Sequence, residues 1–238
     1  AGTASKWDEA DAFLRKKLEK SPSNGSYLNM LVRLKACQGN LKAALDESAR
    51  AQKLTAEGWP SLSRVVLLLQ NGQESEYHQL CHELLEQGLG GEIMAMLALL
   101  LPVNGTDLDR ACQLADVAIA KKEPDEFSSP LILAKALAEC RRGHFDSANQ
   151  WASRVSAGGV VKRYEVRAWL IQVLAQGRLG RFDEARTALS KAEELLNQPQ
   201  VDLTSFEYGG GLGDWAIAGI LHREAKALVE TEKKSALR

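Results

Sequence analysis

The sequence has no long apolar run. Its longest candidate, Ile93 to Leu101, stops at Pro102 and is half of the roughly 18 consecutive residues that suggest a membrane span, so it reads as a buried helix. There is no excess of charge of either sign. With 30 Lys and Arg against 31 Asp and Glu, nothing draws the chain generally to nucleic acid or to an anionic membrane. Aromatics are scarce, at 6%. β-Branched residues are few while Leu, Ala and Glu abound, so the composition leans to helix rather than sheet. The four cysteines, Cys37, Cys81, Cys112 and Cys140, form no CxxC pair and lie far apart in helical runs. They read as reduced, half-buried thiols of a cytoplasmic protein. A signal peptide is also missing, but the chain starts at Ala1 rather than Met, and it is read as a segment of a larger protein.

What the sequence does have is a period. The stretch RLGRFDEA (Arg178 to Ala185) returns as RRGHFDSA (Arg141 to Ala148). With Ala185 as marker, equivalents fall at Ala148, Ala111, Tyr77, Ala44 and Ala10, spaced by 33–37 residues. Three residues before each marker stand Phe182, Phe145, Leu108, Glu74, Leu41 and Trp7, five of them large and apolar. Seven after come Ala192, Val155, Ala118, Leu84, Ala51 and Lys17. Glycine precedes the marker by five at positions 180, 143, 72 and 39, and Gly105 sits beside the equivalent Thr106. Such a period implies a stacked array.

Each unit reads as a helix A, a tight glycine turn and an antiparallel helix B. Glycine accepts the left-handed conformation that closes a helix. Asp183 and Glu184 then suit a helix start, and Phe182, Ala185, Leu189 and Ala192 form one apolar stripe. Small markers allow close approach, and one hairpin cannot bury its faces without neighbours. Five pairs are placed at 26–54, 59–87, 92–121, 129–156 and 165–196, within 25–199, after a lone helix at 6–20 that forms a half repeat (1–22). A glycine-rich linker (200–212) leads to a capping helix at 213–234 that starts at Asp214. Its apolar face is Trp215, Ile217, Leu221, Ala225 and Leu228. The whole of 1–238 is read as one array domain.

These residues resemble the tetratricopeptide (TPR) repeat: Trp169 in helix A, Gly180 at the turn, Phe182, Ala185 and Ala192 in helix B, and Pro199 near the exit. Val173, Glu74 and Tyr77 depart from the pattern. The resemblance implies an all-α, right-handed α-solenoid of about five TPR-like hairpins. The succession LAKALAECRRGHFDSANQW, LIQVLAQGRLGRFDEARTALSKAEELL and a DW…REA helix (Asp214, Trp215, Arg223, Glu224, Ala225) is similar to the C-terminal repeat regions of large bacterial serine/threonine protein kinases and related multidomain signalling proteins. That likeness implies a regulatory or scaffolding extension beside a kinase or other signalling module. No HRD-type loop, DFG or glycine-rich loop with a strand lysine is in this chain.

Catalytic and metal chemistry find little support. His78 and His82 lie one helical turn apart beside Cys81, a spacing that can share a metal but needs a third ligand from elsewhere. The plain alternative is a helix with one polar face and an inward thiol. YGGGLGDW (Tyr208 to Trp215) resembles a phosphate cradle, yet no strand precedes it and no P-loop Lys-Ser/Thr follows, so it reads as a turn. His144 takes the turn position held by Arg181 and Asn40 and reads as exposed. No Ser/His/Asp or Cys/His constellation has a recognisable context. No enzyme activity, cofactor or metal is expected.

In repeats of this type helix A lines a concave groove. That register gives Asn29 and Arg33, then Leu62 and Val66, Met96 and Leu100, Leu133, Leu137 and Arg141, and Arg167, Leu170, Leu174 and Arg178. An apolar surface with scattered arginines suits a protein or peptide that is extended or helical and acidic in part. The lysine/asparagine clamp of chaperone-tail receptors is not reproduced: its first positions read Asn29 and Arg33, and later ones are leucines. The expected function is a non-catalytic interaction or scaffolding module. The alternative is a spacer that packs on a neighbouring catalytic domain or self-associates.

Overall fold

The computed structural model describes residues 2–54, 58–88, 91–121, 128–157, 161–198 and 213–236. Among them are twelve helices and no strand: α1 (Gly2–Lys20), α2 (Gly25–Cys37), α3 (Leu41–Leu54), α4 (Gly58–Gln70), α5 (Glu74–Glu86), α6 (Gly91–Ala98), α7 (Gly105–Lys121), α8 (Ser129–Arg141), α9 (Phe145–Ser156), α10 (Lys162–Arg178), α11 (Phe182–Leu196) and α12 (Asp214–Ala236). This is the expected all-α helical-repeat solenoid, in which α2/α3, α6/α7, α8/α9 and α10/α11 pack as neighbouring pairs. The glycine-rich linker and Pro199 fall outside the described residues.

The repeat has its physical basis in one turn, used four times. At Gly180 (φ 75) the chain turns left-handed with open space around it. The Gly180 N–H donates to Gly177 O, and the Arg181 N–H donates back to Gln176 O. That pair of bonds is a Schellman closure. The same two bonds close α2 at Gly39, α4 at Gly72 and α8 at Gly143. The next helix then opens with the marker donating to the residue after the glycine: Ala44 to Asn40, Tyr77 to Gln73, Ala148 to His144 and Ala185 to Arg181. Those four markers and Ala111 are fully buried. At the second pair the marker is Tyr77 instead of alanine, yet it too is swallowed whole. The third pair breaks the rule. Its helix α6 has eight residues and ends short of Pro102, whose missing N–H and fixed φ do not extend a helix.

The contacts divide the chain into two compact units, 1–80 with 204–213, and 81–203 with 214–238; α5 contributes its first half to one and its second to the other. In unit 1, Leu14 and Leu18 of α1 join Leu28, Leu31, Leu34 and Ala51 in one core. Asp11 of α1 accepts from Arg15 (2.7 Å) and forms an ion pair with Lys35 of α2 (2.6 Å), and Arg15 reaches Glu47 of α3 (2.8 Å). Burial pushes the Asp11 carboxyl up, but the bonds from Lys35 and Arg15 outweigh it and hold it below its ordinary value. Gly213 (φ 90) stands against Val66 of α4, where an added Cβ would come within 3.1 Å of Val66 Cγ1.

In unit 2 the centre is α10. It is buried on nearly every side and packed against α8, α9, α11 and α12. A helix apolar all round belongs in the interior. On the other side of α8, Asp116 of α7 takes Lys135 (2.6 Å) and Arg142 (2.8 Å), and Glu139 takes Lys135 (2.6 Å) and His144 (3.1 Å). This ladder fixes α8 relative to α7.

Candidate binding surface on the helix-A faces

The expected groove positions separate by environment. Met96, Leu133, Leu137, Leu170 and Leu174 are buried in unit 2, as is Leu100. They hold α6, α8 and α10 together rather than face solvent, because each of these short helices must bury more than one side. Val66 is buried in unit 1, and the side chain of Leu62 lies outside the described residues. Asn29 and Arg33 are half-buried on α2, and Arg178 is exposed at the end of α10. The Asn29 Oδ1 is shut off from solvent with no hydrogen-bond partner.

Arg141 and Arg167 meet a carboxylate each, both from α12. The Arg141 guanidinium forks onto Glu224, with Nη1 to Oε1 at 2.6 Å and Nη2 to Oε2 at 2.7 Å. Such bidentate, charge-assisted pairs are the strong ones. Its remaining edge is filled by main chain: Nε donates to Leu99 O and Nη2 to Leu100 O, both at 2.8 Å. Those carbonyls lie in the turn just past the end of α6, where the helix dipole favours a cation.

Arg167 is only 3% exposed. Its Nη2 lies 2.9 Å from Asp214 Oδ1, and Arg163 Nε lies 2.8 Å from Asp214 Oδ2. Both guanidinium groups stack on the Tyr164 ring, 4.8 and 4.9 Å from its centroid, a cation–π arrangement. Burial pulls Arg167 below its ordinary range, with Asp214 opposing the shift. Two cations and one carboxylate leave this cluster with an excess positive charge.

Around these pairs α12 buries Ala216, Ile217, Ala218, Ile220, Leu221, Ala225 and Val229. The approach to α10 is close at Gly177, where an added Cβ would stand 2.6 Å from Leu228 Cδ2. So the helix-A faces of α8 and α10 carry an amphipathic helix from the chain itself, seated there by two acids, while on α11 its Glu232 meets Arg186 and its His222 meets Glu193, both at 3.0 Å. The acids Asp214 and Glu224, and Arg163 with Tyr164, belong to these clusters and were not singled out by the groove register. An available signal was the Arg163/Arg167 spacing of one helical turn.

The other candidates have ordinary surroundings. His82 Nδ1 bonds Asp107 at 2.9 Å, and His78 stands edge-on to Tyr77. Among the described residues no group of three His, Cys, Asp or Glu is placed to hold a metal ion. His144 is exposed at the turn before α9 and touches Glu139. Of the glycine-rich stretch, residues 208–212 lie outside the described residues. Cys81, Cys112 and Cys140 are buried and Cys37 half-buried, and none of the four is in a disulfide. Burial pushes the thiols of Cys112 and Cys140 up to about 11.

No protein-family model and no curated protein sequence matches the chain. Solved structures do. A chain in the crystal structure of the APC/C hetero-tetramer Cut9–Hcn1 superposes with a TM-score of 0.57 at 14% identity, over 93% of this chain and 40% of that one. Yeast Tom70 gives a TM-score of 0.48 at 15% identity, over 95% of this chain and 43% of that one. The chain thus spans about two-fifths of the length of these structures. The Cut9–Hcn1 superposition bears on fold alone, and the fold is a TPR-like helical-repeat solenoid.

Proposed function

We propose that this chain is a non-catalytic protein-interaction module whose helix-A faces receive helical, partly acidic segments of partner proteins. The observation that carries this reading is the seating of α12 on α8 and α10 by the carboxylates of Asp214 and Glu224. An arginine-bearing helical face there takes two carboxylates of an amphipathic helix, which resembles the helix-in-groove mode of recognition. Asn29, Arg33 and Arg178 are the groove positions with solvent access, and they are the proposed contacts to a partner in trans. The buried, separate thiols support a cytoplasmic setting. Crosslinking and affinity capture with the chain, compared with its Asn29→Ala/Arg33→Glu variant, tests the module reading. A stoichiometric partner held by the wild type and lost by the variant, at unchanged helicity, supports it. Capture that is the same for both, or no stoichiometric partner at all, removes it.

A spacer role is the second reading. It is favoured by the large apolar side chains that unit 1 leaves in solvent, Phe13 at 57%, Met30 at 49% and Trp7 at 38% exposure. Surfaces of this kind mark contact sites when they cluster. Co-expression with a flanking kinase-like domain, of the sort the sequence resemblance implies, and light scattering of the chain alone discriminate the two. Stable co-purification or a concentration-dependent dimer supports the spacer.

A further inference from the structure

We infer that the face of α8 and α10 bearing Arg141, Arg163 and Arg167 is a receptor for an amphipathic helix with two carboxylates ten residues apart, filled in cis by α12 and in trans by a partner helix of the same chemistry. The inference rests on the module reading above and names the ligand class and the competition at its site.

The receptor half is built before the ligand arrives. Arg141 keeps its two bonds to Leu99 O and Leu100 O whichever helix lies above it. Arg163 and Arg167 keep Tyr164 beneath them. A guanidinium fork held in place loses little freedom on taking a carboxylate, which favours binding. The face can also stand uncovered. Ion pairs at a permanent core contact are poor value, since well-packed apolar groups serve as well or better. Arginines backed by carbonyls and an aromatic ring, by contrast, hydrate readily when α12 leaves.

The ligand half is equally defined. Asp214 and Glu224 are ten residues apart, about 15 Å along a helix, and the apolar side chains between them are Ile217, Ile220 and Leu221. That spacing sets a register: a helix with one acid, or with acids seven apart, meets one clamp and misses the other. The Arg163/Arg167 pair exceeds its single carboxylate in charge, so further acids at the start of an incoming helix gain where α12 offers none.

Because α12 is part of the same chain, it competes at an effective concentration on the order of millimolar. A partner helix therefore binds the resting chain weakly and a loosened chain well. The test uses a fluorescein-labelled peptide of residues 214–236 as probe, read by anisotropy against the full chain. The Asp214→Asn/Glu224→Gln chain should bind it at least about 10-fold more tightly than the wild type, since the ion pairs of Asp214 and the hydrogen-bonded fork on Glu224 no longer hold α12. Adding Arg141→Ala to that chain should remove the gain. A charge exchange separates recognition from mere unfolding: Arg141→Glu in the loosened chain should bind the Glu224→Arg peptide better than the native peptide. No gain on loosening, or a gain indifferent to Arg141 and to the exchange, overturns the inference. Partner capture through Asn29 and Arg33 would in that case still stand, so the two readings fail separately.

Discussion

Unit 1 and unit 2 use the same helix-A register to different ends. On α2, Asn29 and Arg33 remain at the boundary with solvent and Met30 is exposed. On α8 and α10, Arg141 and Arg167 stand at other positions of the repeat and are sealed beneath a helix that supplies their counter-ions, while the counterparts of Asn29 and Arg33 are the buried Leu133, Leu137, Leu170 and Leu174. An arginine on helix A is therefore not in itself a mark of an open site. What decides its role is whether another apolar face in the chain needs that surface.

The comparison can be broken hardest in the core. Leu133→Ala or Leu170→Ala removes a fully buried side chain and should cost about 2–5 kcal/mol in urea unfolding, whereas Asn29→Ala in unit 1 should move it by less than about 0.5 kcal/mol. Near-equal effects would put these leucines on a surface after all. Next comes the pair of arginines. Arg141→Ala strands Glu224 and two carbonyls and should cost about 3 kcal/mol, while Arg33→Ala should cost less than about 1 kcal/mol. A smaller loss at Arg141 than at Arg33 would reverse the contrast.

The turns should erase it. Gly39→Ala in unit 1 and Gly180→Ala in unit 2 meet no neighbour within 4 Å but force a side chain into the left-handed region, at about 1–2 kcal/mol each. Thermal melts should place them together, and a large difference would mean the two turns are not the same device.

The smallest expected effect is the pH response of unit 2. The bond from Asp107 raises the pKa of His82 above the ordinary 6.5. A raised value in the folded state means that the contribution is complete below the unfolded pKa and is lost as pH rises through the folded one. An NMR titration should find His82 titrating above 6.5, and Asp107→Asn should bring it down. A His82 that titrates at or below 6.5 would show the contact to be absent in solution.

Much of the fold was legible because its rules are local. Glycine at the marker minus five, an apolar residue at minus three and a small marker suffice to place a Schellman turn and the helix that follows it. That is why α2 through α11 fall close to the expected helical segments. Even Tyr77, a departure from the small-residue pattern, did not disturb the turn at Gly72, since the turn is made of main-chain bonds. The site was less legible because its rules are not local. Arg141 and Glu224 are 83 residues apart, and no period links them. Two hints lay in the sequence unused: α10 carries apolar residues on every side and so requires more neighbours than one hairpin offers, and α12 has a wide apolar face in need of a surface. The arginines suggested an acidic helical ligand from outside; in the structure Arg141 and Arg167 each meet a carboxylate of α12, from within the chain.

The early stop of α6 has a consequence for how this protein tolerates change. Arg141 is positioned by the carbonyls of Leu99 and Leu100, groups that every residue possesses. Side chains along the end of α6 can drift, within the limits of packing, without moving the guanidinium. A single insertion that let the helix run on past Ala98 would consume those carbonyls and cast the arginine loose. The charge that seats α12 is thus insulated against substitution and vulnerable to a change of length.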